Sequence, residues 1–405
     1  MKAAPLAHIS IRNLYKVFGD DPERAIELDQ QGKTRGEIQE ETGCVVAVSD
    51  ANVDIEKGET FVVMGLSGSG KSTLIRMINR LFDISGGEVL INDRDVAKMN
   101  REELRQLRMT GASMVFQHFG LFPHRTVIDN AAYGLEVQGV SKRERRERGA
   151  EALKMVGLEG WESRFPRELS GGMQQRVGLA RALATDSEIL LMDEAFSALD
   201  PLIRREMQDH LIELQRELHK TIVFITHDLN EAMRLGDRIA VMRDGKIDQI
   251  GTAEDILTRP ANEYVAAFIQ DVDITRVLTA ANIMRRPRST VSVSDGPHVA
   301  MRKLEEVHET ELYVIDRQGK LAGVVRDQDL ATAARRGDTS CQNALSTDYP
   351  QAEPDTSLAD LFNIATGYTV PIAVVSEGRL VGVIPRVSLL ESMSTAEGGV
   401  SGNAE

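Results

Sequence analysis

The chain has 405 residues, more than one hydrophobic core accommodates, so two or three domains are expected. Its formal charge of −14, from 62 acidic against 48 basic side chains, speaks against a nucleic-acid surface and against electrostatic adhesion to anionic lipid. Two cysteines, Cys44 and Cys341, with no Cys/His cluster at metal-ligand spacing, support neither a disulfide framework nor a zinc site and predict a reducing compartment.

Met1-Lys2-Ala3-Ala4-Pro5 leads into polar sequence instead of an apolar signal segment, and no run approaches the ~18 apolar residues that span a bilayer. Any membrane role is expected to come through another subunit. His8 to Leu14 alternates by twos and reads as a strand, followed by Lys16-Val17-Phe18-Gly19. Phe18 is either a core aromatic or a ring free to stack on adenine. Residues Asp20 to Gly43 are polar and helix-compatible, with Ile26, Leu28 and Ile38 as apolar anchors, and read as a surface insertion. Val45 to Val48 and Ala51 to Ile55 read as two short strands, and Lys57-Gly58-Glu59 as a turn.

Gly65-Leu66-Ser67-Gly68-Ser69-Gly70-Lys71-Ser72 then fits G-x-x-x-x-G-K-S/T at every fixed position. It follows the apolar run Phe61-Val62-Val63-Met64 and opens a helical pattern from Thr73 to Leu81. Strand, glycine loop and helix is the order phosphate binding requires. The glycines let backbone N–H groups turn inward, the helix start is positive, Lys71 reaches the β- and γ-phosphates, and Ser72 offers a hydroxyl to Mg²⁺.

Three later strands end in chemistry. Ser113 to Phe116 ends in Gln117, an amide that could ligate Mg²⁺ or orient water; Ile189 to Met192 ends in Asp193-Glu194; Thr221 to Thr226 ends in His227. Continuous apolar strands between helical patterns predict a parallel sheet covered on both faces, with Gly65, Gln117, Asp193, Glu194 and His227 along one edge. Asp193 suits Mg²⁺, Glu194 suits polarising the attacking water, and His227 suits contact with a γ-phosphate. A second glycine-rich helix start, Leu169-Ser170-Gly171-Gly172-Met173-Gln174, offers an N-cap serine and a second anion site, and Ser197-Ala198-Leu199-Asp200-Pro201 opens a further helix.

Together these residues resemble an ATP-binding-cassette (ABC) ATPase. The Walker A loop is Gly65 to Ser72, the Q-loop Gln117, the signature Leu169 to Gln174, Walker B Ile189 to Asp193 with Glu194 after it, the D-loop Ser197 to Asp200, and the switch histidine His227. The resemblance implies an α/β fold: a P-loop cassette of mixed sheet core plus helical subdomain over 1–270, with a helical insertion at 20–43. It implies ATP and Mg²⁺, with Lys71, Gln117, Glu194 and His227 catalytic and Ser72, Gln117 and Asp193 near the metal. Nucleotide contacts would come from Phe18, from Gly65 through Thr73, and from Ser170, Gly171, Gly172 and Asp200. Two cassettes pair head to tail in that family, so Ser170 to Gly172 of one close over the Walker loop of another. Met173 stands where many relatives carry glutamine.

The insertion, the run Met64 to Thr73 and the run Leu191 to Arg204 further resemble the ATP-binding subunit of glycine betaine/proline importers, the ProV type. That implies uptake of quaternary-ammonium osmoprotectants at the cytoplasmic side of the cell (inner) membrane. Implied partners are a second ATPase copy, an integral-membrane permease gripped through Phe119 to Asn130, and, indirectly, a periplasmic or extracellular solute-binding protein, with no nucleic acid. Substrate would be recognised on the other subunits. Alternatives are an importer ATPase for another small nutrient, and a soluble ABC ATPase acting in translation or DNA repair. Soluble relatives usually carry two cassettes or a long coiled-coil insertion, which this chain lacks.

Beyond Asp271 the chain repeats itself: Leu321, Gly323 and Leu330 recur as Leu380, Gly382 and Leu389, each copy reading strand, glycine turn, strand, short helix. These resemble two tandem CBS motifs, an α+β regulatory module over 271–395 with copies at about 276–336 and 340–395. Asp329 matches the family's ribose-binding aspartate, whereas Arg326 replaces the usual hydroxyl residue and the second copy has Pro385 and Ser388 there. Sensing of ionic strength and a dimerisation role are both open for this module. Residues 396–405 are expected to be disordered.

Overall fold

The computed structural model describes residues 7–117, 120–197, 199–269, 278–316, 318–368 and 370–390. The chain divides into two compact units, one ending at Ile269 and the other beginning at Gln270. The expected junction near 270, Phe119, Ala198 and the tail at 396–405 lie outside the described residues.

Strands β1 (Ala7–Phe18), β2 (Val45–Glu56), β3 (Thr60–Met64), β4 (Gly86–Ile91), β5 (Arg94–Asp95), β6 (Ala112–Val115), β7 (Ile189–Asp193), β8 (Thr221–Thr226), β9 (Arg238–Arg243) and β10 (Lys246–Gly251) build two sheets in the first unit. One is antiparallel, in the order β2-β1-β4-β5, and the other runs β10-β9-β3-β8-β7-β6. In the second, β9, β3, β8, β7 and β6 are parallel and β10 is antiparallel. Strands β3, β7 and β8 are buried along their whole length, as expected of continuous apolar runs covered on both faces. Helix α3 (Lys71–Ile78) sends Leu74, Ile75, Met77 and Ile78 into a core shared with Ile9, Ile11, Val53 and Ile55 of one sheet and Phe61, Leu191 and Val223 of the other. Each such side chain contributes roughly 1.5–3 kcal/mol when fully buried. Because α3 begins at Lys71, this core fixes where the phosphate loop ends.

The two strands expected between Val45 and Ile55 are one. Burial alternates on Val46 and Val48, then shifts phase to Ala51, Val53 and Ile55. Asp50 takes a φ of +46° where the phase changes, opposite Asn13 at +44°, and the Asn13 amide donates to the Asp50 carboxylate at 2.9 Å. A bulge thus absorbs the mismatch, and pairing with β1 continues on both sides.

The insertion forms α1 (Pro22–Gln30) and α2 (Arg35–Thr42). Asp21 caps the first, with Pro22 in its first turn. Thr34 and Glu37 form a capping box on the second, which ends at Gly43 in left-handed geometry. Ala25, Leu28 and Ile38 are buried against Val17, Cys44 and Val46, whereas Ile26 is only partly covered. Between β6 and β7 the chain is helical, with buried faces from Val127, Ile128 and Leu135 meeting Val177, Leu179 and Leu183 of the helix Gly171–Ala184.

In the second unit, β11 (Thr290–Ser292), β12 (Glu311–Ile315) and β13 (Leu321–Arg326) form one small sheet, and β14 (Gln351–Ala352), β15 (Ile372–Ser376) and β16 (Arg379–Ile384) the other. In each, the first strand is parallel to the second and the second and third form a hairpin. Val314 faces Gly323 as Val374 faces Gly382, and both hairpins break register immediately afterwards. The repeat pattern expected from sequence is therefore also a geometric one. It omitted β11 and β14, which are too short to show a period. The Tyr313 hydroxyl donates to the Pro371 carbonyl of the second repeat, and Tyr313, Val324, Val370 and Ala373 share a small core, so the repeats pack together.

Candidate functional site

Register in the parallel sheet brings the chemistry to one edge. Met64 pairs with Thr226, Asp193 with Ile225 and Val115 with Met192, so the residues that follow these strands leave on the same side. There the loop residues Leu66, Gly68, Lys71 and Ser72 share a cleft of about 550 Å³ with Gln117, Glu194 and His227. That volume lies within the usual range for small-molecule sites.

Two glycines are dictated by close packing. Gly65 has φ +151°, and a Cβ there would come within 2.1 Å of the Met242 carbonyl; Gly70 has φ +103°, and its Cβ would meet the Ala47 carbonyl at 2.4 Å. The loop thus folds directly on backbone from β9 and β2. Lys71 is 4% exposed and donates to the Gly65 and Leu66 carbonyls at 2.8 and 2.9 Å. Burial pushes its ammonium below the ordinary amine range, against the pull of Glu194 and Asp193. The Ser69 hydroxyl is buried and has no partner among the described residues.

Asp193 is fully buried beneath α3. One carboxylate oxygen accepts from the Ser72 hydroxyl at 2.7 Å, and the other from Arg76 at 2.9 and 3.2 Å. Ser72 and Arg76 are four apart on a helix and therefore face the same carboxylate. Glu194 adopts φ +47°, a left-handed conformation costing of order 1–3 kcal/mol for a non-glycine residue. Its N–H donates to the Ile225 carbonyl at 3.1 Å, and its carbonyl accepts from the Ser197 N–H and hydroxyl. This geometry turns the carboxylate into the cleft, where it accepts from the Gln117 amide at 2.9 Å and lies 3.5 Å from the His227 Nδ1. Gln117, Glu194 and His227 thus act on one point. Among the described residues no three His, Cys, Asp or Glu side chains form a metal cage by themselves.

Other expected site residues are placed elsewhere. Phe18 is 42% exposed, stands edge-on to Phe82 at 5.6 Å with the Lys16 ammonium 4.9 Å above its ring, and does not line the cleft; its strand partner Val45 does. Ser170 caps the helix Gly171–Ala184 through the Met173 N–H at 3.3 Å, and Asp200 caps the helix Pro201–Leu218 through the Ile203 N–H at 3.1 Å. Ser170, Gly171, Gly172 and Asp200 do not reach the cleft of their own chain. Asn130, expected on a partner-gripping surface, is instead fully buried. Its amide donates to the carbonyls of Phe122, Arg125 and Thr126, because a loop this tight needs an internal clamp. The exposed residues nearby are Gly120, Pro123 and His124. In the second unit Arg326 is engaged by Glu311 at 3.2 Å and by the Asp348 carbonyl, while Asp329 is exposed.

Two residues of the cleft region were not legible in advance. Arg76 could have been found from its spacing to Ser72. Arg35 lines the cleft from the insertion, and no local pattern marks it.

The ABC transporter family model matches residues 48–197, and the CBS domain model matches 280–336 and 342–395. The chain is 48% identical to the glycine betaine transport ATP-binding protein OpuAA of Bacillus subtilis, over 98% of this chain and 93% of that one. It is 47% identical to the glycine betaine/proline betaine transport ATP-binding protein ProV of Escherichia coli, over 95% and 97%. Among solved structures, the dimeric ATP-binding cassette MJ0796 in a post-hydrolysis state with ADP and Pi superposes with a TM-score of 0.52 at 33% identity, covering 60% of this chain and 98% of that one. With a phosphate loop, a buried aspartate beneath it, two CBS matches and relatives aligned over nearly its whole length, the chain belongs to the ATP-binding subunits of ABC transporters and carries paired CBS domains.

Proposed function

We propose that this chain hydrolyses ATP to drive import of glycine betaine and related quaternary-ammonium osmoprotectants. The observation that carries the reading is the convergence of Lys71, Ser72, Gln117, Glu194 and His227 on one cleft, in a chain matched over nearly its full length by betaine-transport ATPases.

The residues fit ATP and Mg²⁺. Ser72 and Asp193 supply two hard oxygens in hydrogen-bond contact, so Mg²⁺ would draw its remaining ligands from phosphate, water and the Gln117 amide. When bound, the metal neutralises charge on the phosphates. Lys71, buried and held by two carbonyls, exchanges those weak partners for phosphate oxygens. Glu194 accepts the proton of the attacking water, with Gln117 and His227 fixing its carboxylate. Ser170, Gly171, Gly172 and Asp200 do not line this cleft and serve the cleft of a second copy, so the working unit is a head-to-tail homodimer.

Among the described residues no helix is long and apolar enough to cross a membrane. As its relatives are transport ATP-binding proteins, the chain works from the cytoplasmic face of the cell membrane, docked on a separate permease through the surface that exposes Gly120, Pro123 and His124, with a solute-binding protein on the far side. Residues 271–395 regulate that engine.

The test is reconstitution of the chain with its membrane partner in vesicles, measuring ATP-dependent uptake of glycine betaine, proline betaine, choline and carnitine. Betaine uptake coupled to hydrolysis is expected. Coupled uptake of none of the four would redirect the reading to another nutrient, and hydrolysis indifferent to any permease would overturn the transport role.

A further inference from the structure

Arg35 is the first residue of α2, where the Thr34–Glu37 capping box holds the backbone that carries it. Its Nη2 donates to the Ala47 carbonyl at 2.8 Å. Its Nη1 stands 4.0 Å from the Asp244 carboxylate, beyond hydrogen-bond reach, and its Nε is buried with no partner among the described residues. Asp29, the other acid nearby, is already committed to the Ser49 hydroxyl at 2.6 Å and to Lys246 at 3.7 Å. A guanidinium has five N–H donors. Among the described residues one is used, in a side chain that burial makes costly to charge.

The seat is built for this group. Gly245 has φ +78°, and a Cβ on it would strike the Arg35 Nη2 at 2.2 Å and the Ala47 carbonyl at 2.8 Å. The same Gly245 is tied to the phosphate loop, its N–H donating to the Ser69 carbonyl at 2.9 Å, and to β2, its carbonyl accepting from the Ser49 N–H at 2.9 Å. The Ala47 carbonyl that holds Arg35 lies against Gly70, the last glycine before Lys71. Along β2, Ala47 sits between Val45, paired with the aromatic Phe18, and that glycine. The cation is therefore positioned on the cleft wall between an apolar end suited to a base and the loop suited to β- and γ-phosphates.

We infer that Arg35 is a nucleotide-binding residue, contributed by the helical insertion, whose guanidinium takes the α-phosphate of the nucleotide. The inference rests on the proposed ATP site and names a residue that a cassette without this insertion does not have. The insertion is then part of the site. Its docking on Val17, Cys44 and Val46 positions a second cation on the wall of the cleft that Lys71 also lines.

The experiment measures affinity of the full chain for ATP, ADP and adenosine by displacement of a fluorescent ADP analogue, in wild type, Arg35→Gln and Arg35→Lys. ATP and ADP are expected to weaken by about tenfold and to a similar degree in Arg35→Gln, since both carry the α-phosphate. Arg35→Lys should recover part of that loss, and adenosine should not change. Unaltered ATP and ADP affinity in Arg35→Gln, with wild type binding normally, overturns this assignment alone. An equal loss for adenosine would also overturn it, by showing that the variant had only deformed the wall. Failure of wild type to bind ATP would remove the proposed function as well, and so is distinguishable.

Discussion

Two helices of this chain begin in glycine-rich sequence, and they are used in opposite ways. At Gly65 to Ser72 the loop folds over a buried lysine, packs its glycines on backbone from two other strands, and has Asp193 beneath it and Glu194 across the cleft. At Ser170 to Gly172 the helix start is exposed at Ser170 and Gly171, capped only by its own serine. Both exploit the same unpaired N–H groups and positive helix end. The difference teaches that anion binding at a helix start is local, whereas catalysis needs opposed groups at fixed distance. The first start has them within the chain, and the second would have to be met by another molecule, as the proposed head-to-tail dimer supplies.

The largest expected effect breaks the catalytic half of the comparison. Glu194→Gln should keep ATP affinity within about threefold and lower turnover by roughly 10²–10⁴, because the phosphate cradle is intact and the proton acceptor is gone. Near-normal steady-state hydrolysis in that variant would remove Glu194 from its role. Next, Ser170→Arg should leave ATP binding by the monomer unchanged, lower turnover by about 10²-fold, and abolish the ATP-dependent dimer of the Glu194→Gln background seen by sedimentation. A dimer that persists would mean the second helix start is only a capped helix.

A smaller contrast compares one glycine from each start. Gly70→Ala brings a Cβ within 2.4 Å of the Ala47 carbonyl at φ +103°, so it should cost about 1–3 kcal/mol in stability and lose nucleotide binding. Gly172→Ala meets only Leu199 and Ile203 side chains at 3.3 and 3.7 Å, so thermal unfolding should shift by under about 1 kcal/mol. Equal shifts would contradict the claim that one loop is enclosed and the other open. Smallest at the site itself, deletion of residues after Ile269 should leave ATP hydrolysis within about twofold and change its dependence on salt, since the removed unit has its own cores. An identical osmotic response of reconstituted transport would end the regulatory reading of the CBS repeats.

Much of the site was legible because its residues announce themselves locally. A glycine loop between an apolar strand and a helix has few uses, and Asp193, Glu194, Gln117 and His227 each follow a short apolar strand. Parallel pairing then carries such strand ends to one edge, so convergence could be expected before any distance was known. The strand–turn–strand repeat in the second unit was legible for a similar reason, through glycines and leucines recurring in order. Where expectation failed, the cause was tertiary. The phase shift at Asp50 made two strands into one, because Asn13 across the sheet accepts the same bulge. Asn130 read as surface, yet it closes its own loop through three carbonyls.

By itself, the order of residues determined that this chain holds a phosphate loop, where the carboxylates Asp193 and Glu194 stand along the chain, and that a repeated module follows. These are properties of short segments, set by backbone freedom at glycine, helix polarity and the period of apolar residues. Only the tertiary structure decided that Glu194 is turned into the cleft by a left-handed backbone, and that Arg35 reaches the wall of that cleft from the insertion. Those facts depend on which backbones pack against which, and no spacing along the chain encodes that contact.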